Sequence, residues 1–280
     1  MEIKELQEIA KQARRNILEQ VYSAKSGHPG GALSCIDILT VLYFNEMNIN
    51  PENPKAEERD RLVLSKGHAC AALYAILAQK GFFPEEELKE FRKLGSRLQG
   101  HPDMNKLPGI DMTTGSLGQG LSAACGMAMA SKLKKQSNRV YCIVGDGEIQ
   151  EGQIWEAAMT ASHYKLDNLC LIVDNNNLQI DGKVTEVMSP YPIAEKLESF
   201  GFAVFKADGN DIEDLISVFE HAKDVKEKPI AIVANTVKGK GISYMEDKVE
   251  WHGKPPSQEQ YEKAISELIW QTIFKCFSQN

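Results

Sequence analysis

Two apolar runs, Val140-Tyr141-Cys142-Ile143-Val144 and Leu169-Cys170-Leu171-Ile172-Val173, are separated by a helical pattern near Gly152 to Tyr164. That spacing predicts strand, helix, strand. A right-handed crossover makes the two strands parallel neighbours or near neighbours, with both carboxyl ends at one sheet edge. Each run stops at a polar cluster, Gly145-Asp146-Gly147 after the first and Asn175-Asn176-Asn177 after the second. Open α/β sheets bind ligands at that edge. Paired strands lie only about 4.8 Å apart, so the Asp146 carboxylate and the Asn176 amide can reach one hard cation. Two protein oxygens plus phosphate oxygens is the usual way of holding Mg²⁺. The competing reading of the three asparagines is plain turn formation.

The rest of the chain repeats the alternation. Strand candidates are Leu62–Ser65, Phe202–Phe205 and Pro229–Ala234. Helical patterns cover residues 3–22, from about Ser34, Ala69–Gln79, Glu85–Leu94, Leu121–Lys134 and Ile212–Ala222. A last helix is expected near 258–276, with Tyr261, Ile265, Leu268, Ile269 and Ile273 on one face. Residues 26–31 read as a glycine-rich turn, and a polar, glycine-bearing loop is expected near 238–256. This order argues for an α/β fold, a mostly parallel sheet with helices on both faces. No Pro/Gly/Ser-rich linker divides residues 1–280, so one large domain is expected. Strand order cannot be read from the pattern.

Composition narrows the class. With 42% apolar and 25% charged residues, the 280-residue chain reads as a soluble globular protein. A net charge of −7 argues against nucleic acid as the partner. None of the six cysteines forms a CxxC pair, and most sit in apolar runs. Reduced, buried thiols in a cytoplasmic protein are therefore expected. The start MEIKELQEIAKQARR is charged and amphipathic rather than a signal peptide, and no run is long enough to span a membrane.

Three further groups carry chemistry. The loop Gly115-Ser116-Leu117-Gly118-Gln119-Gly120 feeds a helix whose first N–H groups lack partners, an arrangement that suits a phosphate or diphosphate. It matches neither GxGxxG nor GxxxxGK[ST], and tight helix packing explains it as well. Of six histidines, His28, His68, His101 and His252 lie in glycine- or proline-bearing turns, where histidines serve sites more often than cores. His163 and His221 fall on helices. Glu151 and Glu156 stand in the first turns of the crossover helix, where the helix dipole alone would favour an acid.

Taken together, SGHPGGALS, LSKGHA, GHPD, TTGSLGQGLS, GDGEIQEGQIWEA, DNNNLQIDG and TVKGKGIS resemble the transketolase family, in that family's order, from about residue 10 to 255. The resemblance implies the thiamine diphosphate-binding fold of the diphosphate (PP) type. It implies transfer of a two-carbon ketol unit from a ketose phosphate to an aldose phosphate. Asp146, Asn176 and the Leu178 carbonyl would hold Mg²⁺, with Ca²⁺ or Mn²⁺ as alternatives. Gly115, Ser116, Leu117, Gly145, Asp146, Gly147, Glu148, Asn176 and His68 would contact the cofactor. Glu151 and Glu156 would lie near it at a subunit interface. His28, His101 and His252 would line the substrate channel.

The family's chains are more than twice this length, so the resemblance further implies the N-terminal subunit of a split transketolase. The glutamate that activates the aminopyrimidine and the arginines that bind sugar phosphate have no match here. A C-terminal subunit would supply that pyrimidine pocket, in a heterotetramer with two copies of each chain. Half of a 2-oxoacid dehydrogenase and a non-catalytic binding subunit are the alternatives. SGHPGG and SKGH favour the sugar enzyme.

Overall fold

The computed structural model describes the backbone of residues 1–277 and the side chains of residues 1–269. Its elements run α1 (Ile3–Ala24), α2 (Pro29–Ser34), α3 (Ile36–Val41), β1 (Arg61–Leu64), α4 (Cys70–Lys80), α5 (Gln119–Leu133) and β2 (Val140–Gly145). They continue with α6 (Gly152–His163), β3 (Leu169–Asn175), β4 (Leu178–Gln179), β5 (Gly182–Lys183), α7 (Val184–Val187) and α8 (Ile193–Ser199). The chain ends with β6 (Ala203–Asp208), α9 (Ile212–Ala222), β7 (Ile230–Asn235) and α10 (Gln258–Phe277).

Five parallel strands form one sheet in the order β1-β2-β3-β7-β6, and β4 and β5 pair as a small antiparallel ribbon. Side-chain alternation along β2 splits the core in two. Tyr141 and Ile143 join the α1, α3, α4 and α9 side, while Val140, Cys142 and Val144 join the α5, α6 and α8 side. Helices therefore cover both faces, as the near-continuous apolar strands predict. The connections run β1 to β2 to β3 in one direction. They return from the edge strand β6 inward to β7. The reversal falls between β3 and β7, and such a switch point opens a crevice at the carboxyl ends of the strands.

Two expectations change. Residues 29–34 form a short buried helix, α2, with Pro29 in its first turn. Its glycines allow close packing rather than a turn: a Cβ on Gly30 would sit 2.9 Å from the Trp251 carbonyl oxygen. The expected helix at Glu85–Leu94 is only a 3₁₀ turn at Glu85–Glu90. Its buried Leu88 lies three residues before Phe91, the buried residue that caps the turn, a spacing that one tight turn satisfies.

The segment 238–256 has little regular structure, but Ile242, Met245 and Trp251 are buried and anchor it. On α10, Leu268 is buried and Tyr261 stacks on Tyr22, while Ile269 is 45% exposed. Ile273 lies outside the described side chains. Cys35, Cys70, Cys125, Cys142 and Cys170 are buried free thiols. Cys276 lies outside the described side chains.

Candidate active site

The β2–β3 register pairs Gly145 with Asp174, so Asp146 and Asn176 leave the sheet at the same edge. One oxygen of Asp146 accepts from the Gly147 amide at 2.8 Å, and the other accepts from the Asn177 amide. The two candidate ligands thus sit side by side. Asn176 Oδ1 accepts from the Leu178 amide at 3.1 Å, while its Nδ2 donates to Asp174 at 3.2 Å. Asp174 is fully buried and also accepts from Lys66, Thr236 and Ser34. This hub gathers the ends of β1, β3 and β7 with α2. It turns the nitrogen end of the Asn176 amide inward and leaves the oxygen toward Leu178.

Asp146 is buried, and among the described residues no ammonium or guanidinium bonds to it. Burial first, then the Asp174 charge, pushes its carboxyl up to about 7. A divalent ion would relieve that strain. The donors on offer are one carboxylate, one amide oxygen and the Leu178 carbonyl, hard oxygens that suit Mg²⁺ or Ca²⁺ completed by phosphate and water. No group of three or more His, Cys, Asp or Glu that could hold a metal occurs among the described residues. The residues present therefore fit a metal that shares its coordination with a phosphate ligand.

The opposite frustration lies beside it. Lys238 is buried, and its Nζ donates to the Leu178 carbonyl at 3.0 Å and lies 3.0 Å from His252 Nδ1. Burial first, then the Lys66 charge, pushes its ammonium down to about 8. Lys66 is matched by Asp174, whereas Lys238 has no carboxylate partner among the described residues. A buried carboxylate short of a cation and a buried ammonium short of an anion share one crevice. A metal–phosphate pair would satisfy both.

The loops around this crevice pack backbone to backbone. A Cβ on Gly67 would lie 2.7 Å from Thr114 Oγ1 and 2.8 Å from the Gly115 nitrogen. Gly115 has φ +136°, and a Cβ there would lie 2.8 Å from the His101 ring. Glu148 accepts from the Gly118 amide at 2.9 Å, from the Gly145 amide at 3.1 Å and from Ser65. Both of its oxygens are spent on bracing three loops, so its carboxylate acts here as a strut. Ser116 and Leu117 are exposed just before α5. Glu151 and Glu156 are exposed at the start of α6, and Glu151 packs against Gly118.

His28, His68 and His252 form a triangle, with ring centroids 5.2 to 5.4 Å apart. Burial and then Arg92 push His28 down to about 4. Burial and then Lys238 push His252 down to about 3. His68 is held well below the ordinary histidine range by burial and then Lys66. All three are neutral at neutral pH. His101 stands apart, exposed, with its ring against Gly115; burial and Arg92 lower it too. His163 and His221 are exposed on α6 and α9.

Sequence reasoning missed Lys66, Lys238, Asp174, Ser34, Thr236 and Arg92. One signal existed for the lysines: each precedes a glycine just past a strand, as Lys66-Gly67 and Lys238-Gly239.

The family model described as "Transketolase, thiamine diphosphate binding domain" matches residues 6–277. The chain belongs to this transketolase family. It is 45% identical over 268 residues to one subunit of the apulose-4-phosphate transketolase of Phocaeicola vulgatus, covering 96% of this chain and 95% of that one. It is 47% identical over 264 residues to a 6-deoxy-6-sulfo-D-fructose transketolase subunit of Clostridium sp., covering 94% and 96%. Human transketolase is 44% identical over 269 residues, but the transketolase domain seen here covers 42% of that longer chain. The solved transketolase of Campylobacter jejuni superposes with a TM-score of 0.90 at 39% identity, over 96% of this chain and 43% of that one. The transketolase fold of the chain is thus shown by sequence and by shape. Among the described residues no helix is long and apolar enough to cross a membrane.

Proposed function

We propose that this chain is the thiamine diphosphate- and metal-binding subunit of a two-subunit transketolase in the cytoplasm, acting in carbohydrate metabolism. The observation that carries this reading is the pairing of a cation-starved Asp146 with an anion-starved Lys238, in a crevice rimmed by three neutral histidines. Asp146, Asn176 Oδ1 and the Leu178 carbonyl would hold Mg²⁺, with Ca²⁺ or Mn²⁺ as substitutes. Lys238, His68 and the amides of Gly115–Leu117 and Gly145–Gly147 would face the diphosphate.

Thiamine diphosphate, when bound, supplies the carbanion-stabilising chemistry that cleaves and forms the ketol bond. This chain's own part is to anchor, orient and handle protons. The hub on Asp174 fixes the Asn176 oxygen, and Glu148 fixes the loops through Gly118 and Gly145. His28, His101 and His252 would line the channel, bonding sugar oxygens as neutral groups. Relatives named for their substrates act on apulose 4-phosphate and on 6-deoxy-6-sulfo-D-fructose. Both are anionic sugars, so we place the substrates of this chain among ketose and aldose phosphates, the pentose phosphates included.

A C-terminal transketolase subunit would bring the pyrimidine pocket and the phosphate-binding arginines, in a heterotetramer of two copies of each chain. The test is co-expression with the product of the neighbouring reading frame. The complex is then assayed with Mg²⁺, thiamine diphosphate, xylulose 5-phosphate and ribose 5-phosphate. Ketol transfer is expected from the complex and none from the chain alone. Turnover of pyruvate without ketol transfer would overturn the assignment.

A further inference from the structure

Arg92 reaches the His28 ring from the side of its Nδ1. The residue follows Phe91 in a left-handed conformation, φ 59°, and its amide donates to the Leu98 carbonyl at 2.9 Å. Its guanidinium is held on three sides. Nη1 donates to Ser26 Oγ at 2.7 Å, and Nη2 donates to the Gly100 carbonyl at 3.3 Å. Nη2 also lies 3.3 Å from His28 Nδ1. Gly100 leaves room for this: a Cβ there would lie 3.1 to 3.2 Å from the guanidinium.

A guanidinium has five donors, no acceptor, and stays charged at any working pH. Its contact with His28 Nδ1 is favourable only if that nitrogen offers a lone pair. A neutral imidazole then carries its proton on Nε2. His252 shows the same polarity, with Nδ1 turned to Lys238 Nζ. The far nitrogen of His28 lies beside Gly253, toward the side of the histidine triangle where His252 stands.

We infer that Arg92 is a positioning residue that fixes His28 as its Nε2–H tautomer, making His28 a hydrogen-bond donor to a substrate oxygen rather than a base. The inference rests on the proposed substrate channel. An oriented donor at an oxygen that gains negative charge lowers the barrier to forming that charge. The surroundings of His28 favour a neutral ring at working pH: burial first, then the charges of Arg92, His101 and Lys238, disfavour its protonation, and His68 and His252 lie against it edge-on.

The experiment uses the two-chain complex with ¹⁵N-histidine in this chain only. Long-range ¹H–¹⁵N correlation spectra are assigned with His28→Gln. The wild-type spectrum is expected to show His28 as the Nε2–H tautomer, neutral well below the ordinary histidine range. In Arg92→Met the ring is expected to become a tautomer mixture and to titrate nearer 6.5. The turnover number should fall about tenfold, less than the 10²–10³ of deleting a donor outright, with KM and cofactor affinity changed less. Arg92→Lys should restore the tautomer and part of the turnover. Gly100→Ala, which crowds the guanidinium without removing it, should shift the spectrum in the direction of Arg92→Met.

An unchanged Nε2–H signature in both Arg92→Met and Gly100→Ala overturns the inference. A tautomer that shifts as expected with turnover untouched overturns the donor role. That second result indicts the channel assignment, so the two failures are distinguishable.

Discussion

The Lys238 ammonium lies 3.0 Å from the carbonyl oxygen of Leu178, one of the three oxygens suited to the metal. The strand β4 that carries Leu178 is thus tied to the loop after β7 by a buried cation. A diphosphate bound here would offer that ammonium a better partner, which would leave the carbonyl available to a divalent ion.

Lys238→Met should therefore weaken thiamine diphosphate binding. A charge-assisted hydrogen bond contributes about 1.5–3 kcal/mol, or roughly ten- to a hundredfold in affinity. Mg²⁺ binding without diphosphate should be unchanged or tighter, because a competing charge has gone. Calorimetric titration of the complex with each ligand separately checks both halves. Equal weakening for metal alone and for cofactor would remove the competition argument.

Asp146→Ala should abolish the metal-dependent part of cofactor binding. At cofactor a hundredfold above its dissociation constant, binding to the folded state alone stabilises by about 2.7 kcal/mol. The wild-type complex should show that gain with Mg²⁺ and lose it with EDTA. The variant should melt alike in both. A melting shift that survives in Asp146→Ala would place the metal on other ligands.

The strands β2 and β3, with Asp146 and Asn176 at their tips, were legible because apolar runs and polar tips are local in sequence. The sites of Lys238 and Glu148 were not. Lys238 stands in a polar, glycine-bearing stretch, and the burial of Ile242, Met245 and Trp251, with the Gly239 amide donating to the Gly30 carbonyl, pulls that stretch inward. Glu148 looks like a ligand beside the GDG cluster. Its role is set by the Gly118 amide, 30 residues away, and by Ser65, 83 residues away. No local pattern reports such contacts. The place of β7 between β3 and β6 is equally non-local, yet it creates the crevice that brings Thr236 and Lys238 to the site. The histidine cluster was half legible: the sequence offered four turn histidines, and packing chose which three meet.

Gly67→Ala tests the contact between the two loops. Its Cβ would meet Thr114 Oγ1 and the Gly115 nitrogen below 3.0 Å. Such overpacking typically costs about 1–3 kcal/mol, and here it would push the Gly115–Leu117 loop outward. Cofactor affinity should fall with stability. Gly126→Ala is the matched control, since nothing lies within 4 Å of its added Cβ. As an exposed helix position it should gain about 0.5–1 kcal/mol and leave cofactor affinity alone. Urea unfolding and cofactor titration of both variants decide the matter.

Acid should destabilise the isolated chain through its histidines. His28 and His252 sit near 4 and 3 in the folded state against an ordinary 6.5, and His68 is lowered as well. From pH 6.5 down to about 4 the unfolded chain binds protons that the folded chain refuses. Stability present above 6.5 is therefore lost as pH falls through that window. Asp146 opposes this: raised from 3.8 to about 7, it makes the folded chain the better proton acceptor between those values. Glu148 and Asp60, raised by burial, oppose it as well, and His101 adds to the histidine side. The large shifts of His28, His68 and His252 against one large carboxyl shift leave stability falling on acidification. His252→Gln removes one of the three, so urea midpoints plotted between pH 7 and 4 should show a shallower decline than in the wild type. A decline as steep as the wild type's would mean that His252 titrates normally in the folded chain, and that neither burial nor Lys238 holds it neutral.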